Sequence, residues 1–383
     1  MKKKVLFCAT VDYHFKAFHL QYLKWFKEQG WEVHVAAAGE LILPFVDKKF
    51  NIPIQRLPFH KKNIKAYKEL KKIIDYNHYN IIHGHTPMGG VLTRVAARNV
   101  RKQGTKVIYT AHGFHFCKGA PLINWLLYYP IEKVLASFTD CLVTINQEDY
   151  QLAKSHRFKA KSIKHVHGVG VNTDIFKPVT DSQKNNSRKS LGYKLDDFLM
   201  FYAAEFNKNK NQKLLIESIA LLKDEVPNAK LLLAGDGPLL DECQKLAQIL
   251  KVEDMIDFLG FRNDIENLLN ISDLAVASSQ REGLPVNIME AMACGLPVVA
   301  NNNRGHRELI QNEKNGWLIE NQSSDFAEKI KLIANNRQLK NELGSNGRKK
   351  ILTNFSNQKV LGEKSEIYLE QMNELEGNLW AVH

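Results

Sequence analysis

The sequence predicts an α/β protein made of two doubly wound, Rossmann-like domains facing a cleft. Three observations carry that prediction. Short β-rich runs alternate with helical patterns through the first 150 or so residues, the rhythm of a parallel sheet covered by helices. A polar stretch, KPVTDSQKNNSRKS (residues 177–190), has no apolar period and reads as a linker. The same rhythm then restarts. The chain of 383 residues is long enough for two or three domains, and 44% hydrophobic with 25% charged residues is ordinary globular composition.

In the first half the expected strands are Val5–Ala9, Glu32–Ala37, Ile81–His83, Lys106–Thr110 and Asp140–Ile145, with helical patterns such as Phe18–Glu28 and Ile64–Tyr76 between them. MKKKVLFCAT at the start has a basic head, but its apolar run ends at Asp12, so it reads as a first buried strand and not a signal segment. In the second half the expected strands are Phe198–Ala203, Lys230–Ala234, Ile256–Leu259, Leu274–Ala277 and Pro297–Ala300. Helices fit Gln212–Lys223, Pro238–Leu250, Pro285–Ala293 and, amphipathic and polar, Asn357–Leu375. The expected division is a first domain 1–180, a second domain 190–355 and a helix within 356–383 returning towards the first. The longest apolar stretch, Pro121–Ile131, is broken by Asn124 and falls short of the ~20 residues a membrane helix needs. Five cysteines without a C-x-x-C suggest neither a disulfide framework nor a zinc site and fit a reducing cytoplasm.

Charge is uneven. Residues 1–185 hold 29 Lys and Arg against 13 Asp and Glu, a net +16; residues 186–383 hold 24 against 28, a net −4. The densest basic piece runs from Arg56 to Lys72. Such a stripe attracts polyanions, nucleic acid or an anionic membrane surface. No recognition-helix, RNP-like or zinc-finger pattern accompanies it, and the aromatics lie in apolar runs, so nucleic acid is not the expected partner.

The chemistry concentrates in the second half. LLLAG (231–235) runs into DGPLLDE (236–242), where Gly235 and Gly237 allow a tight turn at a strand's carboxyl end and Pro238 suits a helix's first turn. N–H groups exposed there could meet a phosphate or a sugar. Neither G-x-G-x-x-G nor G-x-x-x-x-G-K-[ST] occurs, which argues against a dinucleotide oxidoreductase and a P-loop NTPase. SSQREGLPVNIMEAMACGLPVVA (278–300) is more specific. A strand ends at Ser278, Glu282 and Gly283 follow, and a helix starts near Pro285 with Glu290 about two turns in. Glutamates so placed would accept from sugar hydroxyls while the helix N–H groups take phosphates. As an isolated pair they read equally as a helix-end complement and a solvent-facing side chain.

The E-x7-E pattern of EGLPVNIME, followed by AMACGLPVVA, resembles the retaining glycosyltransferases of family 4, which have the GT-B fold. FLGF (258–261), AGDGP (234–238), HGVGVNTDIF (167–176) and ELIQNEKNGWLI (308–319) are similar to further segments of that family. TAHGFHF (110–116) and HGHTPMGG (83–90) are similar to transferases of bacterial exopolysaccharide and capsule synthesis. The resemblance spans nearly the whole chain. It implies that Glu290 holds the nucleotide's ribose and that Glu282 contacts the donor sugar. The backbone of Gly283, Leu284, Pro285 and Val286, with Gly235 and Gly237, lies along the donor. Phe261 and Arg262 edge the base. Lys210 faces the diphosphate, and His112 sits opposite the donor sugar. Asp12, His14 and His85 are expected on the acceptor side.

Two positions depart from the family pattern. Glu205 stands where an arginine usually helps neutralise the diphosphate, with Lys208 or Arg262 as substitutes for the missing charge; the early glycine-rich loop is replaced by VDYHFKAFHL (11–20). The resemblance implies transfer, with retention, from a nucleotide diphosphate sugar, UDP foremost. The implied acceptor is a lipid-linked saccharide at the inner face of the membrane. No metal or cofactor is expected, since no D-x-D motif occurs. A non-catalytic subunit of a polysaccharide assembly complex and another nucleotide-sugar enzyme such as an epimerase are the alternatives.

Overall fold

A computed structural model describes residues 2–380, and the side chains of residues up to 375. It divides into two compact units: residues up to Gly170 with those from Gln358 onward, and Val171–Asn357. Each has a parallel sheet. In the first unit seven strands, β1 (Lys4–Val11), β2 (Glu32–Ala38), β3 (Lys48–Asn51), β4 (Ile81–His85), β5 (Lys106–Ala111), β6 (Cys141–Thr144) and β7 (Ser162–His165), pair in the order 3-2-1-4-5-6-7. In the second, six strands, β8 (Phe198–Ala203), β9 (Ala229–Ala234), β10 (Ile256–Gly260), β11 (Leu274–Ala277), β12 (Val298–Asn301) and β13 (Gly316–Ile319), pair in the order 10-9-8-11-12-13. Interior strands are apolar on both faces, as sheets covered by helices on both sides require.

In both sheets the order reverses once, between β1 and β4 in the first and between β8 and β11 in the second. Ligands of open α/β sheets bind outside the strand carboxyl ends at such a switch point. The loops after β1, β4, β8 and β11 are therefore the places to look for chemistry.

Helices of the first unit are α1 (Tyr13–Phe18), α2 (Leu20–Glu28), α3 (Lys62–Asn77), α4 (Pro87–Lys102), α5 (Leu122–Ala136) and α6 (Gln147–Ser155). In the second come α7 (Asp181–Ser190), α8 (Gln212–Leu222), α9 (Leu240–Ile249), α10 (Ile265–Ile271), α11 (Val286–Ala293), α12 (Arg304–Leu309), α13 (Ser323–Ala334) and α14 (Arg337–Lys350). The last helix, α15 (Asn357–Trp380), packs on the first unit. There Tyr368 Oη lies 2.9 Å from His83 Nδ1, and Lys106 reaches Glu374 at 2.6 Å. Among the described residues no helix is long and apolar enough to cross a membrane.

Three expectations change. Residues 181–190 form α7, not a linker. Thr180 and Gln183 close a reciprocal capping box at its start. Buried Arg188 then ties it to the body through Asp273, at 2.5 Å, and the carbonyl of Ile271. β3 and β7 escape the sequence reading because both are short, lysine-bearing edge strands that need little apolar surface. The helix expected from Phe18 to Glu28 is α2, which starts at Leu20; a separate short helix, α1, precedes it, with His19 between them.

Candidate functional site

In the second unit the loops after β8 and β11 are stitched together. The Gln280 amide donates to the Asn209 carbonyl (2.8 Å), Ser278 Oγ donates to the Lys210 carbonyl (2.7 Å) and Asn209 Nδ2 donates to the Arg281 carbonyl (3.0 Å). This holds Lys210 against Glu282, with Nζ 2.6 Å from Oε1 and both side chains partly buried. Gly305 makes room for the glutamate, since a Cβ there would lie 2.8 Å from Glu282 Cβ. Lys210 and Glu282, distant in sequence, thus form one unit at the switch point.

Behind them α11 starts after Pro285. Among the described residues the amides of Leu284, Val286 and Asn287 donate to no protein group, while Pro285 has no N–H to give. Unpaired amides at a helix start suit an anion. Glu290 lies on the same helix. Its carboxyl accepts no hydrogen bond among the described residues; burial, and then the charge of Glu266, push its pKa up to about 7. A buried carboxylate without donors is costly unless something donates to it.

Other expected donor-side groups have structural duties. Gly235 and Gly237 adopt positive φ, and a Cβ on either would strike the backbone of residues 204–206, at 2.2 Å from the Ala204 carbonyl oxygen and 2.5 Å from that of Phe206. These glycines let the loops after β8 and β9 cross in contact. The Gly235 amide is already spent on the Gly260 carbonyl (2.7 Å), so it does not serve as the exposed donor that the sequence suggested. Arg262 is held bidentately by Asp264 (2.8 and 2.6 Å), so its charge is neutralised locally and does not replace the missing arginine. Phe261 beside it is exposed. Glu205 turns outward and accepts from Asn207 (3.0 Å); Lys208 is exposed.

The first unit's switch point is built of histidines. The HGHTPMGG run ends β4 and starts α4. Gly89 would carry a Cβ 2.8 Å from Ala9 Cα, and Gly90 one only 2.1 Å from the Tyr109 ring, so only glycine lets α4 lie this close on the sheet. Thr86, at φ 61°, is held in that unusual conformation by the Thr10 amide and hydroxyl (3.0 and 2.8 Å). His85 at the end of β4, His112 just after β5, and His14 and His19 from the α1 region converge, with one nitrogen from each within 4.8 Å of the others. Among the described residues this is the group that could ligate a metal. The rings pair among themselves, His19 Nε2 to His14 Nε2 at 2.9 Å and His85 Nδ1 to His112 Nε2 at 3.3 Å. Burial and the nearby Lys364 hold His14 down to about 4, and His19, His85 and His112 lie well below the usual imidazole range for the same dominant reason. All four are neutral at pH 7. Burial thus disfavours the cationic form of His112. His19, not singled out from sequence, is the deepest member; the H-x4-H spacing of His14 and His19 was its only signal.

Asp12, expected towards an acceptor, is committed elsewhere. Its carboxylate meets Lys49 Nζ (2.5 Å) and the Leu41 amide (2.8 Å), and both hold its pKa low. Its neighbours Tyr13 and His14, with His112, line a cavity of about 900 Å³ wholly within the first unit.

Comparison with known proteins identifies the family. The family description "Glycosyl transferases group 1" matches residues 183–350, and "Glycosyl transferase 4-like" matches residues 4–146. A Bacillus subtilis protein named putative glycosyltransferase EpsD is 52% identical over 97% of this chain and 98% of its own. The chain belongs to the family 4 glycosyltransferases. An Escherichia coli relative of this glycosyltransferase, named UDP-Gal:alpha-D-GlcNAc-diphosphoundecaprenol alpha-1,3-galactosyltransferase, is 28% identical over 81% of this chain and 80% of its own. Among solved structures, Anabaena HepE in complex with UDP and glucose superposes with a TM-score of 0.79. It shares 21% identity and covers 96% of this chain and all of its own, which establishes the GT-B fold.

Proposed function

We propose that this glycosyltransferase moves a sugar from a UDP-sugar, with retention of configuration, to a lipid-linked saccharide used in exopolysaccharide synthesis, at the inner face of the membrane. The observation that carries the donor half is the arrangement at the second switch point, with Lys210 on Glu282, unpaired amides at the start of α11 and Glu290 behind them. Glu290 accepts from the ribose hydroxyls, which supply the donors it lacks. The amides of Leu284 and Val286 and the Lys210 ammonium take the diphosphate. Lys210 has three N–H donors and Glu282 uses one, so two remain for phosphate oxygens. Glu282 accepts from the donor sugar.

Breaking the bond between the anomeric carbon and the diphosphate leaves positive character on the sugar and negative charge on the leaving group. Lys210 and the amides, already oriented, stabilise that negative charge as it develops. Burial disfavours the charged form of His112, so this imidazole brings no fixed positive charge to the first unit's site. The name of the Escherichia relative, a transferase acting on a diphosphoundecaprenol-linked sugar, supports the acceptor class, and the basic first half suits an anionic lipid surface.

A thermal-shift and calorimetric screen of UDP, GDP, ADP and CDP tests the donor reading. UDP is expected to raise the melting temperature by mass action, and Glu290→Ala to abolish the shift. No shift with any of the four would move the non-catalytic reading ahead, with Glu205 as its cause.

A further inference from the structure

The cavity of about 900 Å³ in the first unit is far larger than His112 and a sugar hydroxyl need, and its walls are the wrong chemistry for a sugar. Saccharide sites present planar polar groups. Here the walls are mainly aliphatic and aromatic: Met88 and Val91 on α4, Phe116 ahead of α5, and Leu127 and Ile131 on α5. The apolar character continues to the outside. Phe59 is 87% exposed at one edge and Leu126 on α5 is 64% exposed beyond the other. Exposed apolar surface continuous with an apolar cavity marks a ligand or membrane contact and not ordinary surface scatter. Charge supplies the second observation. Arg56 lines the same cavity, is exposed, and meets no carboxylate among the described residues; Lys61 and Lys62 follow it, both exposed.

We infer that this cavity is the subsite for the isoprenoid end of the acceptor, taking the first prenyl units beside their diphosphate, with Arg56 receiving the phosphate oxygens. This rests on the lipid-linked acceptor proposed above and adds a distinct binding site to it. An apolar chain gains affinity with each buried methylene, and a diphosphate gains a guanidinium whose planar donors match it. The occupant is the chain of the acceptor itself and not the bulk bilayer: the lining is concave, and His14 and His112 share it, so a chain seated there brings its headgroup to the histidines. A flat bilayer contact would need only the outer face of α5.

The test uses dimethylallyl, geranyl and farnesyl diphosphate, each below its micelle-forming concentration, titrated by calorimetry into the full-length protein without membranes. Affinity is expected to rise at least tenfold from dimethylallyl to geranyl, and again to farnesyl until the cavity is full. Val91→Trp, which narrows the cavity, should cut the chain-length gain by more than it weakens dimethylallyl diphosphate. Leu127→Glu, a partly exposed position, should do the same if the tryptophan variant folds poorly. Arg56→Ala should weaken all three diphosphates by a similar factor. Affinity independent of chain length, or a gain that survives both cavity variants, overturns the subsite. The two readings fail separately. Prenyl diphosphates that bind as expected, beside lipid-linked saccharides that are never glycosylated, would refute the acceptor assignment and leave the cavity's ligand class standing.

Discussion

The same topological device appears twice in this chain and is fitted out in opposite ways. At the carboxyl ends of β1 and β4, four imidazoles crowd together, His19 and His85 buried and His14 and His112 half-buried, and burial disfavours the charged form of each. At those of β8 and β11 the groups are charged or ready to be: an ammonium on a carboxylate, unpaired amides, and a second carboxyl poised near neutrality. The difference matches the proposed chemistry. A leaving diphosphate carries fixed negative charge and needs preorganised positive partners. An acceptor hydroxyl is neutral and the sugar becomes positive, so a cation on that side would be harmful. One sheet plan therefore gives two sites whose electrostatics differ only through the residues on four loops.

The largest expected effect removes the charged partner. Lys210→Ala should lower kcat by roughly 10²–10³ with the melting temperature changed by a degree or two, as for loss of one preorganised donor. An equal loss from Lys210→Ala and Lys210→Arg, with stability intact, would show that geometry and not charge matters there. Next in size is the support of the first site's cavity. Arg94 is fully buried, pairs with Glu132 at 2.8 Å and stacks over the Tyr109 ring. Glu132→Ala leaves that charge unpaired and should cost about 3–5 kcal/mol by denaturant unfolding. A cost below about 1 kcal/mol would mean that the cavity floor rearranges.

Titration should then separate the two sites by sign. The histidines are depressed in the folded state, so their contribution is present above pH 6.5 and is lost as pH falls towards 4. Glu290 is raised, so its folded carboxyl is favoured below about pH 4.5 and the advantage disappears as pH rises through about 7. Acid should therefore destabilise the first unit, with His14 alone contributing about 2 kcal/mol between pH 6.5 and 4.5. His14→Gln should make that acid limb shallower by this share, leaving the part due to His19, His85 and His112, and leave the alkaline side alone. Glu290→Gln should do the reverse, gaining about 1–2 kcal/mol at pH 8 and little at pH 5. If UDP's ribose hydroxyls donate to the Glu290 carboxylate, binding at pH 7 releases a fraction of a proton. The apparent binding enthalpy would then differ between phosphate and Tris buffers; identical enthalpies would remove Glu290 from the ribose. The smallest effect is at Glu205. Glu205→Gln should tighten UDP-sugar binding about two- to fivefold, the scale of an exposed charge, and a larger gain would mean that this side chain turns inward.

Sequence made the sheets legible because buried parallel strands such as LLLAG and CLVT are continuous apolar runs. It was silent on α7 because that helix has no apolar face; it is held by one buried arginine and one capping box, and T-D-S-Q was the signal available. At the sites, the family resemblance carried by the motifs proposed Lys210, Glu282, Glu290 and His112, but not what each side chain touches. Arg262 and Asp12 carry suitable charges, yet Asp264 and Lys49 already hold them, and such pairs are made by folding across loops that sequence spacing does not connect. His19 and Lys364 were missed for a related reason. A basic residue buried between helices, as His19 is, or within one, as Lys364 is, looks in sequence like any solvated one.

The first unit is interrupted in sequence, and this has a consequence for synthesis. The chain leaves it at Gly170 and returns at Gln358, with the two crossings hydrogen-bonded side by side where Val171 meets Phe355 and Asn357. His83 waits for Tyr368 and Lys106 for Glu374, partners almost 300 residues downstream. At roughly 5–20 residues per second, a ribosome needs on the order of 10–40 s to make the intervening segment. Throughout that time the second unit is free to fold as a complete insert, while the amino-terminal sheet stands with one flank bare. A chain truncated after Asn357 should therefore complete its second core while its first still lacks α15. The surface left open on the first is the one a ribosome-associated chaperone would meet.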